Sequence, residues 1–209
     1  MEAILTHSLF FKVIFVLCGF FLWHRSQSWI EARAQTLPLT FQNTSIDFTH
    51  RLTEKGNIYL KNHPKFNRVL LILSSLGVDL LALYILFQGF AEEGFRILLA
   101  FFSVFVLRQF SQLILRLAQP GGMIWFDPKF PSLFVTYKVS NDFFFSGHTA
   151  LAVLGALNVF EQQEFPWGIL ALLVAVFEII YVIVLRVHWF LDVWVGALVA
   201  ATVFYFLQN

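Results

Sequence analysis

The sequence predicts an all-α integral membrane protein, a bundle of six transmembrane helices that form a single membrane domain over residues 1–209. Three observations carry this. The chain is 58% hydrophobic and only 13% charged, where soluble domains hold nearer a quarter charged residues. It sustains apolar runs long enough to cross the hydrocarbon core of a bilayer. Short polar or Pro/Gly-containing turns separate those runs. A net charge of +1 offers no clustered basic surface for a nucleic-acid partner. The single cysteine, Cys18, lies inside an apolar run, so no intrachain disulfide forms.

Helix 1 covers about residues 8–24. Ala32-Arg33-Ala34 resembles a signal-peptide cleavage site, but no basic region precedes the run, and Arg25, Glu31 and Arg33 stand where a neutral linker belongs. The run is therefore kept as a helix. Residues 25–67 form a polar loop with Pro38, a turn expected at Gly56-Asn57, Pro64, and a weakly amphipathic stretch from Ile46 to Leu60 suited to an interface. Asn43-Thr44-Ser45 matches a glycosylation acceptor, a pattern common by chance. Helices 2 and 3 occupy about 68–118, from Arg68 to Phe90 and from Phe95 to Ala118, parted by Ala91-Glu92-Glu93-Gly94. The stretch Gln119–Val139 carries Pro120-Gly121-Gly122, Asp127-Pro128 and Pro131, which exclude a spanning helix. Helix 4 runs from about Phe143 to Phe160, helix 5 from Pro166 to Val187 and helix 6 from Trp189 to Leu207. Six crossings place both ends of the chain on one face and the polar motifs on the other.

Those motifs are Asn-Asp-Phe-Phe-Phe-Ser-Gly-His-Thr-Ala at 141–150 and His-Trp-Phe-Leu-Asp at 188–192. Ser146-Gly147-His148 stands where a polar loop enters a helix. Unpaired amides at a helix start, unhindered at Gly147, hold phosphate oxygens, and the helix dipole favours the anion. The plainer reading is a serine cap followed by an incidental histidine. His188 and Asp192 are four apart, which on helix 6 puts them on one face. A carboxylate on one ring nitrogen fixes the tautomer and leaves the other as nucleophile or base; the plainer reading is an interfacial ion pair. Two apolar crossings between His148 and His188 return the chain to the same face, so two histidines and a carboxylate meet there. That is the outline of a phosphoryl-transfer site.

The paired motifs resemble those of the sphingomyelin synthase-related branch of the type 2 phosphatidic acid phosphatase superfamily, a branch shared by phosphatidylcholine:diacylglycerol cholinephosphotransferases. The resemblance spans roughly residues 95–207, the expected catalytic core. It implies that His188 attacks phosphorus, that Asp192 orients it, and that His148 serves the leaving and incoming oxygens. It also implies a multi-pass lipid phosphotransferase that moves a phosphocholine-like head group from a phospholipid donor to a lipid hydroxyl, diacylglycerol or a ceramide-like acceptor, through a phosphohistidine. No cofactor and no metal is expected, because arginines and helix amides supply the positive field. Ser146, Gly147, Asp142, Arg116 and Arg186 are the expected substrate-binding residues.

The chain departs from the superfamily's phosphatases. It lacks an upstream Lys-x6-Arg-Pro motif, and Phe145 stands where a proline precedes Ser-Gly-His. No Ser-Arg pair precedes the second histidine; only Arg186 is near. Helix 3 instead offers Arg108, Gln112 and Arg116 on one face, with Arg116 near the motif side and Arg108 placed too deep to hold phosphate. At the midplane Arg108 is expected to pair with Asp79, Glu178 or both. These departures favour the transferase. A lipid phosphatase with water as acceptor, a lipid transporter or scramblase lined by the helix 3 stripe, and an inactive scaffold are the alternatives. Eleven of the fourteen cations fall on the motif face, so the positive-inside rule places that face in the cytoplasm, although many relatives work on the outer one. A reporter fused after Asn209 is expected to read out outside the cytoplasm; a cytoplasmic signal contradicts the assignment.

Overall fold

Eight helices are described in a computed structural model that covers residues 2–34, 47–115, 117–137, 144–163 and 165–208. They are α1 (Glu2–Ala34), α2 (Phe48–Leu52), α3 (Glu54–Asn62), α4 (Pro64–Ala91), α5 (Arg96–Ile114), α6 (Gly147–Gln162), α7 (Phe165–Val184) and α8 (Phe190–Phe206). The described residues hold no strand element. Four helices are long and apolar enough to cross a membrane: α1 over Ser8–Ile30, α4, α5 and α7. α8 is apolar but shorter. α6, with 16 residues, spans only ~24 Å at ~1.5 Å per residue. The expected count of six helices thus becomes eight, because the polar segment after α1 folds into α2 and α3.

Several boundaries move, for physical reasons. α1 continues ten residues past Trp-containing helix 1 as read from hydropathy, since no proline interrupts it before Pro38. Gly56 and Asn57 lie inside α3 rather than in a turn. The Asn57 amide donates to the carbonyls of Val184 at 2.8 Å and Gly122 at 3.3 Å, so the residue ties α3 to α7. α5 ends at Ile114, four residues early. Leu115 turns extended, and Trp189 Nε1 donates to the Ala118 carbonyl at 3.0 Å, which draws the following segment away from the helix.

α6 is the central element. It packs against α4, α5, α7 and α8, and Ala150, Ala152, Leu154 and Ala156 are wholly buried. Small residues let membrane helices approach closely where no hydrophobic force separates protein from lipid. α1 packs mainly on α5, through Phe15 and Phe20 against Phe102 and through Trp23 against Phe105. Outward-facing Leu17, Phe21, Phe87, Leu173 and Val176 are exposed, as a lipid-facing surface requires. At the end away from the motifs, Arg96 pairs with Glu92 at 3.1 Å and Glu161 at 3.2 Å. Gln208 donates to Glu161 at 2.7 Å, and the Lys12 ammonium reaches the Glu92 carbonyl.

The proline-rich stretch after α5 is not helical, yet it runs into the bundle. Asp79, midway along α4 and 7% exposed, accepts hydrogen bonds from the Leu133 amide, the Phe134 amide and the Ser132 hydroxyl, each at 3.0 Å. Irregular backbone at membrane depth persists only where its amides find partners inside the protein. The expected pairing of Arg108 with Asp79 or Glu178 is absent among the described residues: Asp79 is taken by this loop, and Glu178 accepts from Ser74 Oγ at 2.6 Å. Replacing Asp79 by alanine removes the acceptor shared by the Leu133 and Phe134 amides, and an amide left without a partner inside the bundle costs ~1–3 kcal/mol. The detergent-solubilised Asp79→Ala protein is expected to lose heat stability sharply, and Asp79→Asn, which keeps one acceptor, to lose less. Equal stability of Asp79→Ala and the parent in a thermal aggregation assay contradicts this.

Candidate active site

Ser146 opens α6 as its N-cap, with Oγ accepting from the Thr149 amide at 3.3 Å. The helix therefore starts at Gly147 rather than at Phe143, and His148 sits in its first turn. Trp189 opens α8, so His188 precedes that helix rather than lying on its face. Asp192 meets His188 by capping geometry: its Oδ2 accepts from the Trp189 amide at 3.0 Å and lies 3.7 Å from His188 Nδ1. Asp192 is wholly buried and His188 is 3% exposed.

A backbone hydrogen bond joins the two motifs. The Ser146 amide donates to the Asp192 carbonyl at 3.0 Å. Gly196, one turn further along α8, makes this approach possible, since a Cβ there would stand 2.7 Å from the Ser146 carbonyl oxygen. As a result the His148 and His188 rings lie with centroids 6.0 Å apart, and Trp125 flanks His148 at 5.5 Å. Both ring nitrogens of His148 are buried without a hydrogen-bond partner among the described residues. Unpartnered buried polar atoms are uncommon, and a site awaiting a ligand is one place they occur.

Arg108 also belongs here, contrary to its expected depth. Its Nε donates to the Phe145 carbonyl at 3.1 Å, and a Cβ on Gly147 would stand 2.9 Å from that same Nε. Because α5 ends at Ile114, Arg108 is six residues from its end, ~9 Å at ~1.5 Å per residue. A guanidinium thus lies against the opening of α6. Asp142 and Arg116 fall outside the described residues.

Arg186 is placed differently from Arg108. It occupies the left-handed position, φ 56°, that ends α7: its amide donates to Ile183 and the Val187 amide to Val182, each at 3.0 Å. Glycine is the usual residue there, and a side chain costs of order 1–3 kcal/mol. Its guanidinium offsets this by donating to the Gly121 carbonyl at 3.0 Å and the His50 carbonyl at 3.3 Å. It clamps the loop and α2 beside the second motif.

α2 is a strap across that motif. Asp47 caps it, accepting from the Thr49 amide at 2.9 Å, and its other oxygen accepts from the Phe190 amide at 2.7 Å. His50 Nε2 donates to the His188 carbonyl at 2.9 Å. Beside the strap a groove of about 710 Å³, mostly apolar, runs between Phe48, Leu52, Leu117 and Leu191 and reaches Asp192. Sequence reasoning passed over Asp47 and His50, for which an Asp-x-Thr cap was the available signal, and it set Arg108 too deep in the helix 3 stripe. Among the described residues no three His, Cys, Asp or Glu side chains converge as metal ligands.

Burial raises the Asp47 carboxyl, but the Phe190 amide, Thr49 and His50 outweigh it and hold the group below its ordinary value of 3.8. A lowered carboxylate contributes stability in full above the unfolded value and loses it as pH falls through the folded one. Stability of the parent is therefore expected to drop as pH is lowered below about 3.8, more steeply than that of Asp47→Asn, which has no carboxyl to titrate. Asp47→Ala should cost about 1 kcal/mol, as lost caps do. Parallel melting-against-pH curves for the parent and Asp47→Asn would contradict the strap's dependence on this charge.

A family model described as AtPDCT1/2 matches residues 46–209. No curated protein matches the chain, and no solved structure does.

Proposed function

The chain belongs to the AtPDCT1/2 family of phosphatidylcholine:diacylglycerol cholinephosphotransferases, and from that premise we propose that it transfers phosphocholine through a phosphohistidine at His188. The family is one of lipid transferases that act on phospholipid and diacylglycerol in a membrane. It favours an enzyme over a carrier, and diacylglycerol over ceramide as acceptor. The wider kinship with sphingomyelin synthases and type 2 phosphatidic acid phosphatases is part of the same proposal.

The observation that carries the mechanism is the meeting of His148, His188 and Asp192 across the Ser146–Asp192 backbone bond. Asp192 holds the proton on His188 Nδ1, leaving Nε2 with its lone pair toward phosphorus. Attack by Nε2 forms a nitrogen–phosphorus bond and breaks the bond from phosphorus to the diacylglycerol oxygen. His148 gives that oxygen a proton, so diacylglycerol leaves neutral. The hydroxyl of a second diacylglycerol then loses its proton to His148 and attacks phosphorus, and His188 departs. Arg108 and the α6 amides at Gly147 and His148 hold the phosphoryl oxygens; Ser146, as cap, aims those amides, and Arg116 and Asp142 are proposed to lie beside them. Arg186 acts by clamping the loop against α2. The apolar groove beside Asp192 takes lipid tails.

His188 is 3% exposed, and a site closed to bulk water favours a lipid hydroxyl over water as acceptor. Six crossings, by α1, α4, α5, α6, α7 and α8, complete the proposal. The clustering of Lys12, Arg96, Glu161 and Gln208 at the end opposite the motifs supports it.

With phosphatidylcholine and labelled diacylglycerol in vesicles, His188→Ala should abolish transfer. His148→Ala should lower it by ~10²–10⁴, the usual range for one acid–base group. Asp192→Asn should leave a slow enzyme, because it keeps an acceptor for the Trp189 amide and loses the charge beside His188 Nδ1. Full transfer by His188→Ala overturns the mechanism.

A further inference from the structure

The family match begins at residue 46, so α1 lies outside it. Even so, α1 reaches the site. Trp23 and Gln27 of α1, Arg108 of α5, Thr136 of the loop, and Gly147 and His148 of α6 line a cavity of about 60 Å³. That is several times the ~10–15 Å³ one water needs. Trp23 Nε1 is itself buried and has no acceptor among the described residues. An indole N–H can only donate, and leaving a buried donor unpaired is costly enough to be rare.

The placement of the ring is fixed rather than incidental. Gln109 Nε2 donates to the Trp23 carbonyl at 3.1 Å, Ser26 Oγ bonds to the same glutamine, and the Trp23 ring packs on Phe105 with centroids 5.6 Å apart. The cavity is thus bordered by Trp23, Arg108, the amide side chain of Gln27 and the start of a 16-residue helix, with no carboxylate among its described lining residues. Such a donor set suits a tetrahedral oxyanion.

We infer that α1 completes the phosphoryl subsite, with Trp23 Nε1 donating to a non-bridging oxygen of a phosphate mono- or diester. This rests on the proposed transfer at His188 and adds a residue from outside the family's matched stretch. The indole leaves the phosphoryl charge where Arg108 and the α6 amides also face it, so it acts as a binding residue and not as an acid or base.

The test uses the full chain in detergent. Binding of inorganic phosphate and of a short-chain phosphatidylcholine below its micelle concentration is measured by calorimetry, alongside the donor KM in vesicles. Trp23→Phe, which keeps a ring but loses the N–H, should weaken both ligands by about tenfold or more, as expected for one hydrogen bond to a charged group, with the donor KM rising and the acceptor KM unchanged. Trp23→His restores an N–H at the equivalent ring position and should recover most of the loss. Unchanged binding in Trp23→Phe, weakness of Trp23→His equal to that of Trp23→Phe, or failure of the parent to bind either ligand overturns the inference. Loss confined to the phospholipid also overturns it, by moving the contact off the phosphoryl group. Trp23-dependent phosphate binding in a parent that transfers nothing leaves this inference standing and removes the cholinephosphotransfer reading.

Discussion

The site depends on the backbone contact of the Ser146 amide with the Asp192 carbonyl, made possible because Gly196 has no Cβ. It brings the opening turns of α6 and α8 together, and with them an imidazole from each motif. Everything around it serves to hold those two helix starts. Asp47 and His50 strap α8 from outside, and Arg186 ties the strap to the loop. A helix start is also the one place in a membrane helix where amides stand unpaired and ready for an anion. In the proposed transfer, two such ends supply both the structural hydrogen bonds and the anion-binding amides of the site.

The loop between α5 and α6 meets the same constraint by other means. Its prolines forbid a helix, so its amides need acceptors supplied from elsewhere in the bundle. Asp79 supplies them from the middle of α4. A carboxylate that hydropathy alone would mark as a costly intruder thereby anchors Ser132–Phe134, two residues before the Thr136 carbonyl that accepts from the indole of Trp125, the ring beside His148.

The meeting of His148, His188 and Asp192 was legible in the sequence because two apolar crossings between the histidines return the chain to the face it left. The long helices α4 and α7 were legible from hydropathy within a few residues. What escaped was set by tertiary contacts. α5 ends early at Leu115 with no proline or glycine to mark it, so Arg108 was read as too deep. α2 is five residues long, below the reach of any periodicity, and its role rests on contacts 138 and 143 residues away in sequence, His50 to His188 and Asp47 to Phe190. The His188–Asp192 spacing pointed to the right pair for a different reason: Asp192 reaches back as a cap instead of sharing a helical face. Arg108 was read as the partner of Asp79, Glu178 or both, because opposite charges at one depth look like a pair until a loop and a serine take the carboxylates.

The central claim is that phosphorus becomes bonded to His188. Incubating the purified chain with phosphatidylcholine labelled in its phosphocholine group, in the absence of diacylglycerol, and quenching in base measures this directly. The account predicts a base-stable, acid-labile label on the peptide containing His188, discharged when diacylglycerol is added. A label that maps to His148, or persists in His188→Ala, would contradict it.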